Sequence, residues 1–206
     1  MRAFCVIFVA VILTGCGGDK VPAWVRGASK TSNKWGHYSG YVEARWENDG
    51  RSMTLLSELR YTDPQGVVWI APAGSQVDGA SIPRSLWSLM GGPFEGKYRN
   101  ASVLHDVAYD QKNRTHEVCD QMFYNAMRCS GVGAVEAGTM YYALRKFGHH
   151  WKAPKATPVK VGDDIVARAE PVNQNDINAT RDWIRSSAPN IQQIEQRADA
   201  GPDGSH

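Results

Sequence analysis

Three stretches with helical periodicity lie between Asn100 and Phe147, and only a few residues separate each from the next. The first runs from Asn100, a good N-cap type, to Gln111. The second starts behind Thr115, another N-cap type, and carries Glu117 where the positive helix end favours a carboxylate. It runs to Cys129 and stops at Gly131. The third spans Gly133 to Phe147, with Arg145 and Lys146 in its last turn and Gly148 just beyond. Breaks this short force consecutive helices to fold back on one another. Val135, Met140, Ala143, Leu144 and Phe147 repeat with the helix period and read as core.

The segment before the helices carries strand patterning. Tyr41–Trp46, Met53–Tyr61 and Val67–Ala71 alternate in part. Glu47-Asn-Asp-Gly50 and Asp63-Pro-Gln-Gly66 are the turns between them. Three strands with tight turns predict a small antiparallel β-meander, which needs a layer over one face. A Gly/Ser/Pro-rich connection follows and contains Asp78-Gly-Ala-Ser-Ile-Pro83. Ser85–Met90 has room for one helical turn. The expected fold is therefore α+β: a small antiparallel meander, then a three-helix unit over residues 35–151. Residues 152–206 are polar and Pro/Lys-rich, and read as a loosely structured tail. Two short amphipathic helices are expected there, at Asn173–Ser186 and Asn190–Ala198.

The first residues do not fit a fold. Arg2 is followed by an apolar run, Ala3–Leu13, too short for a spanning helix of roughly 20 residues. This is the pattern of a signal peptide over residues 1–15. Leu13-Thr14-Gly15-Cys16 resembles the lipobox of bacterial lipoproteins, which implies acylation of Cys16 and cleavage before it. Gly17 in place of an aspartate, by resemblance to enterobacterial sorting, implies the outer membrane of the cell envelope. Residues 16–34 are small and polar and read as a tether from a lipid anchor.

Charge and cysteines narrow the function classes. Net charge is +2 for the whole chain, and Arg2 is the sole charge in the leader, so nothing points to nucleic acid. Beyond Cys16 only Cys119 and Cys129 remain. Ten positions apart on one helix, they are separated by about 15 Å, which excludes a disulfide between them. Two buried free thiols are the expectation.

The chemistry-bearing residues cluster on the first helical hairpin. Its loop centres on Asn113, with His105 eight positions before and Asp120 seven after. Residues equally far from the turn of an antiparallel pair face each other, so His105 and Asp120 should meet. Tyr109 is four positions from His105 and shares its face. Asp106 lies about 100° round the same helix. A histidine oriented by a carboxylate is a general base. A second carboxylate near Gly91-Gly92 and Gly96, whose carbonyls could join it, is what a hard cation such as Ca²⁺ needs. The same pair can equally be a satisfied polar bridge between helices, with no chemistry. His116 is expected at an exposed helix start, and His149-His150 at a solvated helix end.

His105-Asp-Val-Ala-Tyr109 is similar to the HDxxY motif of secreted phospholipases A2, and Cys119-Asp120 resembles that family's second helix. The resemblance covers Gly91–Cys129. It implies His105 as base, Asp106 as calcium ligand, and Asp120 and Tyr109 as supports. The family's disulfides are absent here, its calcium-loop order is not reproduced, and the opening strands are foreign to it. A second resemblance covers Val67–Trp151. The succession PAGSQVDGASIPRSLW, YRNASVLHDVAYD, CDQMFYNAM and YYALRKFGHHW looks like an uncharacterised phage and bacterial family, domain-of-unknown-function family 1353. It implies no activity, and adds Asp78 and Ser81 to the residues of interest.

Two functions stand at this level. One is a membrane-anchored hydrolase of lipid esters, phospholipids included, using a His105-activated water and a cation at Asp106. The other is a non-catalytic envelope lipoprotein of prophage type that binds an envelope protein and blocks phage entry.

Overall fold

Turn chemistry cuts the amino-terminal part into short strands. In the computed structural model, which describes residues 34–79, 81–83, 86–87, 91–151 and 171–200, there are six. They are β1 (His37–Ser39), β2 (Ala44–Trp46), β3 (Met53–Leu55), β4 (Leu59–Thr62), β5 (Val68–Ala71) and β6 (Gln76–Val77). Asp49 closes the β2–β3 turn by accepting from the backbone N–H groups of Arg51 and Ser52. Asp63 closes the β4–β5 turn, accepting from Gln65 N, Val67 N and the Trp69 indole N–H. Both are side chains standing in for a backbone turn. Cys16, the apolar run before it and most of the tether lie outside the described residues, as does most of Ser85–Met90.

The strands do not form one meander. They make two antiparallel three-stranded sheets, β1–β4–β5 and β2–β3–β6. The expected strand Met53–Tyr61 is broken at Leu56–Glu58, and its two halves enter different sheets. Met53, Leu55, Leu59 and Tyr61 all point inward with the same parity, so alternation alone hides the break. Gly36, just before β1, has φ +89, and a Cβ there would lie 2.1 Å from the Thr62 carbonyl oxygen. Only glycine fits that approach.

A 3₁₀ turn (Gly96–Tyr98) leads into α1 (Arg99–Gln111), followed by α2 (His116–Cys129) and α3 (Ala134–Phe147). Thr115 caps α2, its hydroxyl accepting from Val118 N at 3.4 Å. α1 packs on β4 and β5 on one side and on α2 on the other, and α2 packs on α3. The core between these layers holds Tyr61, Leu104, Phe123, Met127, Met140 and Tyr141, all essentially without solvent contact. The Tyr38 hydroxyl donates to the Ala126 carbonyl at 2.8 Å and ties β1 to α2. The fold is α+β.

The carboxy-terminal helices pack instead of trailing. α4 (Gln174–Ser187) and α5 (Ile191–Asp199) both lie on α3. Gly138 of α3 lets them approach: a Cβ there would sit 3.1 Å from Ile194 and 3.3 Å from Ile184. Ile177, Ile184 and Ile194 are buried in this seam. Three polar latches border it, from Tyr141 to Glu195 (2.6 Å), Tyr142 to Asp176 (2.7 Å) and Arg145 to Asp199 (2.8 Å). The loose tail is thereby corrected over 171–200. Short helices are marginal alone, and their stability comes from the apolar face they bury.

Cys119 and Cys129 are both free. Burial, then the neighbouring Asp120 charge, pushes the Cys119 thiol up to about 12, so it stays a neutral thiol. Cys129 is only half-buried, and its thiol faces the Gly36 carbonyl. In a denaturant titration Ile177→Ala should lower stability by about 2–5 kcal/mol, the range for a buried Ile truncation. An unchanged midpoint would mean that α4 contributes nothing to the core.

Candidate functional site

α1 and α2 meet where the turn-counting places them. The His105 Nε2–H group donates to Asp120 Oδ1 at 2.9 Å, and both side chains are fully buried. The Tyr109 hydroxyl, one turn further on, donates to the same oxygen at 2.5 Å. Burial, and then the Asp120 charge, holds the Tyr109 phenol well above its usual range, so it remains a donor. The imidazole is wedged between two rings, Tyr109 at 4.0 Å and Phe123 at 4.7 Å between centroids. Asp120 Oδ2 is buried with no hydrogen-bond partner.

The other side of the imidazole meets the connection after β6. The Ser81 hydroxyl donates to His105 Nδ1 at 3.0 Å. An ionised Asp120 can only accept, so Nε2 carries the ring proton and Nδ1 offers its lone pair to Ser81. Asp120, His105 and Ser81 thus form one unbroken line. Asp78 and Ser81 were of interest only through a resemblance, and the loop that carries them lies directly over α1.

Asp106 holds that loop in place. Its Oδ2 accepts from Asp78 N at 3.0 Å and Gly79 N at 2.6 Å, and its Oδ1 accepts from Ser81 N at 3.2 Å. Gly79 has φ +72, and a Cβ there would lie 2.2 Å from the Pro93 ring. A glycine in the left-handed region turns successive N–H groups toward one anion, and here the anion is a side chain. The Asp78 carboxylate points away and pairs with Arg51 at 2.5 Å.

This arrangement does not fit the expected calcium ligand at Asp106. Its carboxylate already takes three backbone N–H groups, and a cation would sit among donor hydrogens. The Gly92 carbonyl accepts from the Tyr98 hydroxyl, and none of Gly91, Gly92 and Gly96 borders the cavity described below. Among the described residues no group of three His, Cys, Asp or Glu side chains is placed to hold a metal.

A cavity of about 320 Å³ opens over this line, with Ser81, Asp106 and Tyr109 in its floor. His105 does not border it. Lys112, His150 and Trp151 form part of the wall. Trp151 stands edge-on to Tyr109 at 4.5 Å, and its indole N–H donates to the Arg114 carbonyl at 3.0 Å. The His116 ring, far from exposed, stacks on His150 at 4.3 Å and donates from Nδ1 to the Trp151 carbonyl at 3.0 Å. His150 and Trp151 were read as a solvated helix end, yet they fold back over the start of α2. No periodic signal could have found them, because they lie past the last turn of α3.

Asp106→Asn keeps the shape but puts an NH₂ among N–H donors. It should cost about 1–3 kcal/mol in chemical denaturation, the penalty for buried groups left unpaired. Amide exchange at Gly79 and Ser81 should quicken, and added calcium should leave the wild-type midpoint where it is. Unchanged exchange, or a clear calcium stabilisation, would overturn this role for Asp106.

No solved structure matches the chain. Two uncharacterized proteins of Sinorhizobium fredii (strain NBRC 101917 / NGR234) are similar to it. Uncharacterized protein y4jT is 45% identical over 97 residues, covering 47% of this chain and 29% of that protein. Uncharacterized protein y4iH is 35% identical over 103 residues, covering 50% of this chain and 43% of that protein. The chain thus spans less than half the length of each of these relatives. Residues 53–144, which carry Ser81, His105, Asp106, Tyr109 and Asp120, match the family described as "Protein of unknown function (DUF1353)".

Proposed function

We propose that this chain is a membrane-anchored hydrolase of ester bonds, with phospholipid-type esters as its substrate class and a lipid on Cys16 as its anchor to the outer membrane. One observation carries the catalytic part: the hydrogen-bonded line Asp120–His105–Ser81 ends on the floor of a cavity. His105 is the base. Asp120 fixes its tautomer and balances the positive charge it gains on taking a proton. Tyr109 holds Asp120 in place. Trp151 and Tyr109 give the cavity the apolar wall that an acyl group needs. The resemblance of the α1–α2 hairpin to phospholipases A2 supports an ester substrate. Asp106, engaged by three backbone N–H groups, is used differently here from the calcium ligand of those enzymes.

A second reading has an observation of its own. His105 and Asp120 have no solvent contact, and both ring nitrogens are satisfied. That suits a structural bridge between helices in a non-catalytic envelope lipoprotein of prophage type, one that blocks phage entry.

One comparison of three purified forms separates these readings. Wild type should hydrolyse p-nitrophenyl acyl esters and phospholipid vesicles, with or without chelator. His105→Gln, whose amide can still reach both neighbours, should lose about 100-fold or more of that rate, the scale of a missing general base. Cys16→Ser should keep the rate in detergent but lose labelled palmitate and membrane attachment. Equal background rates in wild type and His105→Gln would remove the hydrolase and leave the binding protein. Equal palmitate in both forms of residue 16 would remove the anchor.

A further inference from the structure

We infer that Ser81 is the covalent nucleophile of this site, so that ester cleavage passes through an acyl-serine. The inference rests on the hydrolase reading and goes past it, because a bare histidine base would activate water. Here the Ser81 hydroxyl already stands on the base's free nitrogen. His105 is fully buried and does not border the cavity. Its Nε2 is engaged by Asp120, and its Nδ1 by the Ser81 hydroxyl at 3.0 Å. Among the described residues, the proton that the Nδ1 lone pair faces is the one on Ser81. The Ser81 side chain, by contrast, borders the cavity.

Ser81 is also held through its backbone. Its own N–H is clamped to Asp106, together with those of Asp78 and Gly79. The hydroxyl therefore sits on the imidazole without the loop having to reorganise, which is what an activated nucleophile requires. In the familiar Ser–His–Asp arrangement the serine faces Nε2 and the aspartate faces Nδ1. The two nitrogens are exchanged here, and either can serve as the base once the other is tied to a carboxylate. Ser102 makes a useful contrast. It is also buried on α1, but its hydroxyl has no hydrogen-bond partner among the described residues.

The step balances without a co-reactant. Ser81 Oγ adds to the ester carbonyl carbon while its proton passes to His105 Nδ1. The tetrahedral adduct then breaks its bond to the alcohol oxygen, which leaves with the proton from Nδ1. Water, entering from the cavity, gives a proton to Nδ1 and adds to the acyl carbon. Ser81 leaves, regains its proton, and the carboxylic acid is released. The loop N–H groups that could have stabilised the oxyanion are already spent on Asp106. The donors on the cavity wall include the Gln76 amide, the Lys112 ammonium and the imidazoles of His149 and His150. The site therefore suits carboxylic esters whose acyl group lies against Trp151.

An alkyl fluorophosphonate tests this on the full-length wild-type protein. Intact mass should rise by one phosphonyl group, peptide mapping should place it on Ser81, and ester hydrolysis should fall with the same time course. A burst of p-nitrophenol equal to the enzyme concentration should precede steady turnover. Ser81→Ala should not label and should lose hydrolysis by about a thousandfold or more, the scale for a lost nucleophile. Ser81→Cys, nearly isosteric, should regain a burst, which separates chemistry from misfolding. If Ser81→Ala hydrolyses at the wild-type rate and wild type stays unlabelled, Ser81 is not the nucleophile and the hydrolase reading survives. If folded wild type shows neither hydrolysis nor labelling, both fall together.

Discussion

The structure turns on one buried carboxylate. Asp120 has no solvent contact and accepts from both the imidazole of His105 and the phenol of Tyr109 on the facing helix. An isolated buried charge is very costly, and removing one partner from such a pair typically costs about 3–5 kcal/mol. Asp120 therefore fixes the register of α1 against α2, since any slip would strand it. The hairpin in turn fixes the rest. α1 is the surface on which β4 and β5 pack, and α2 is the surface on which α3 packs.

A second carboxylate does for the loop what Asp120 does for the helices. Asp106 points from α1 toward the connection after β6 and gathers three of its N–H groups. A loop with a left-handed glycine would otherwise leave those donors facing a closed surface. Adjacent residues of one helix thus carry two different jobs. His105 faces inward to Asp120, and Asp106 faces sideways to the loop. The outcome is that Ser81, from a distant part of the sequence, lies on the imidazole at the floor of a cavity.

Much of this was legible in the residues, and the failures have physical causes. Counting from Asn113 brought His105, Asp120 and Tyr109 together, because a short break between helices leaves one way to fold. The start of α2 followed its capping residue Thr115, whereas α1 begins at Arg99 with no side-chain cap and takes the expected cap Asn100 into its first turn. The strands were misjudged because Met53, Leu55, Leu59 and Tyr61 keep one inward parity through a break between sheets. Asp106 was expected to hold a cation and is found on backbone N–H groups, because a carboxylate near glycines serves either equally well on paper. Only the loop's path decides between them. The helices of 171–200 were foreseen as helices but not as core, since Gly138, the residue that admits them, carries no signal of its own. The cavity wall from His150 and Trp151 follows no period at all.

The central claim is that His105 is held by Asp120 on one nitrogen and offers the other to Ser81. Nitrogen-15 NMR of the histidine side chains reads this directly, with His105 assigned by substitution. The account requires the Nε2–H tautomer at neutral pH, with a slowly exchanging ring proton that couples to Nε2 and disappears in Asp120→Ala. A proton found on Nδ1, or a ring proton lost at once to solvent, would contradict it.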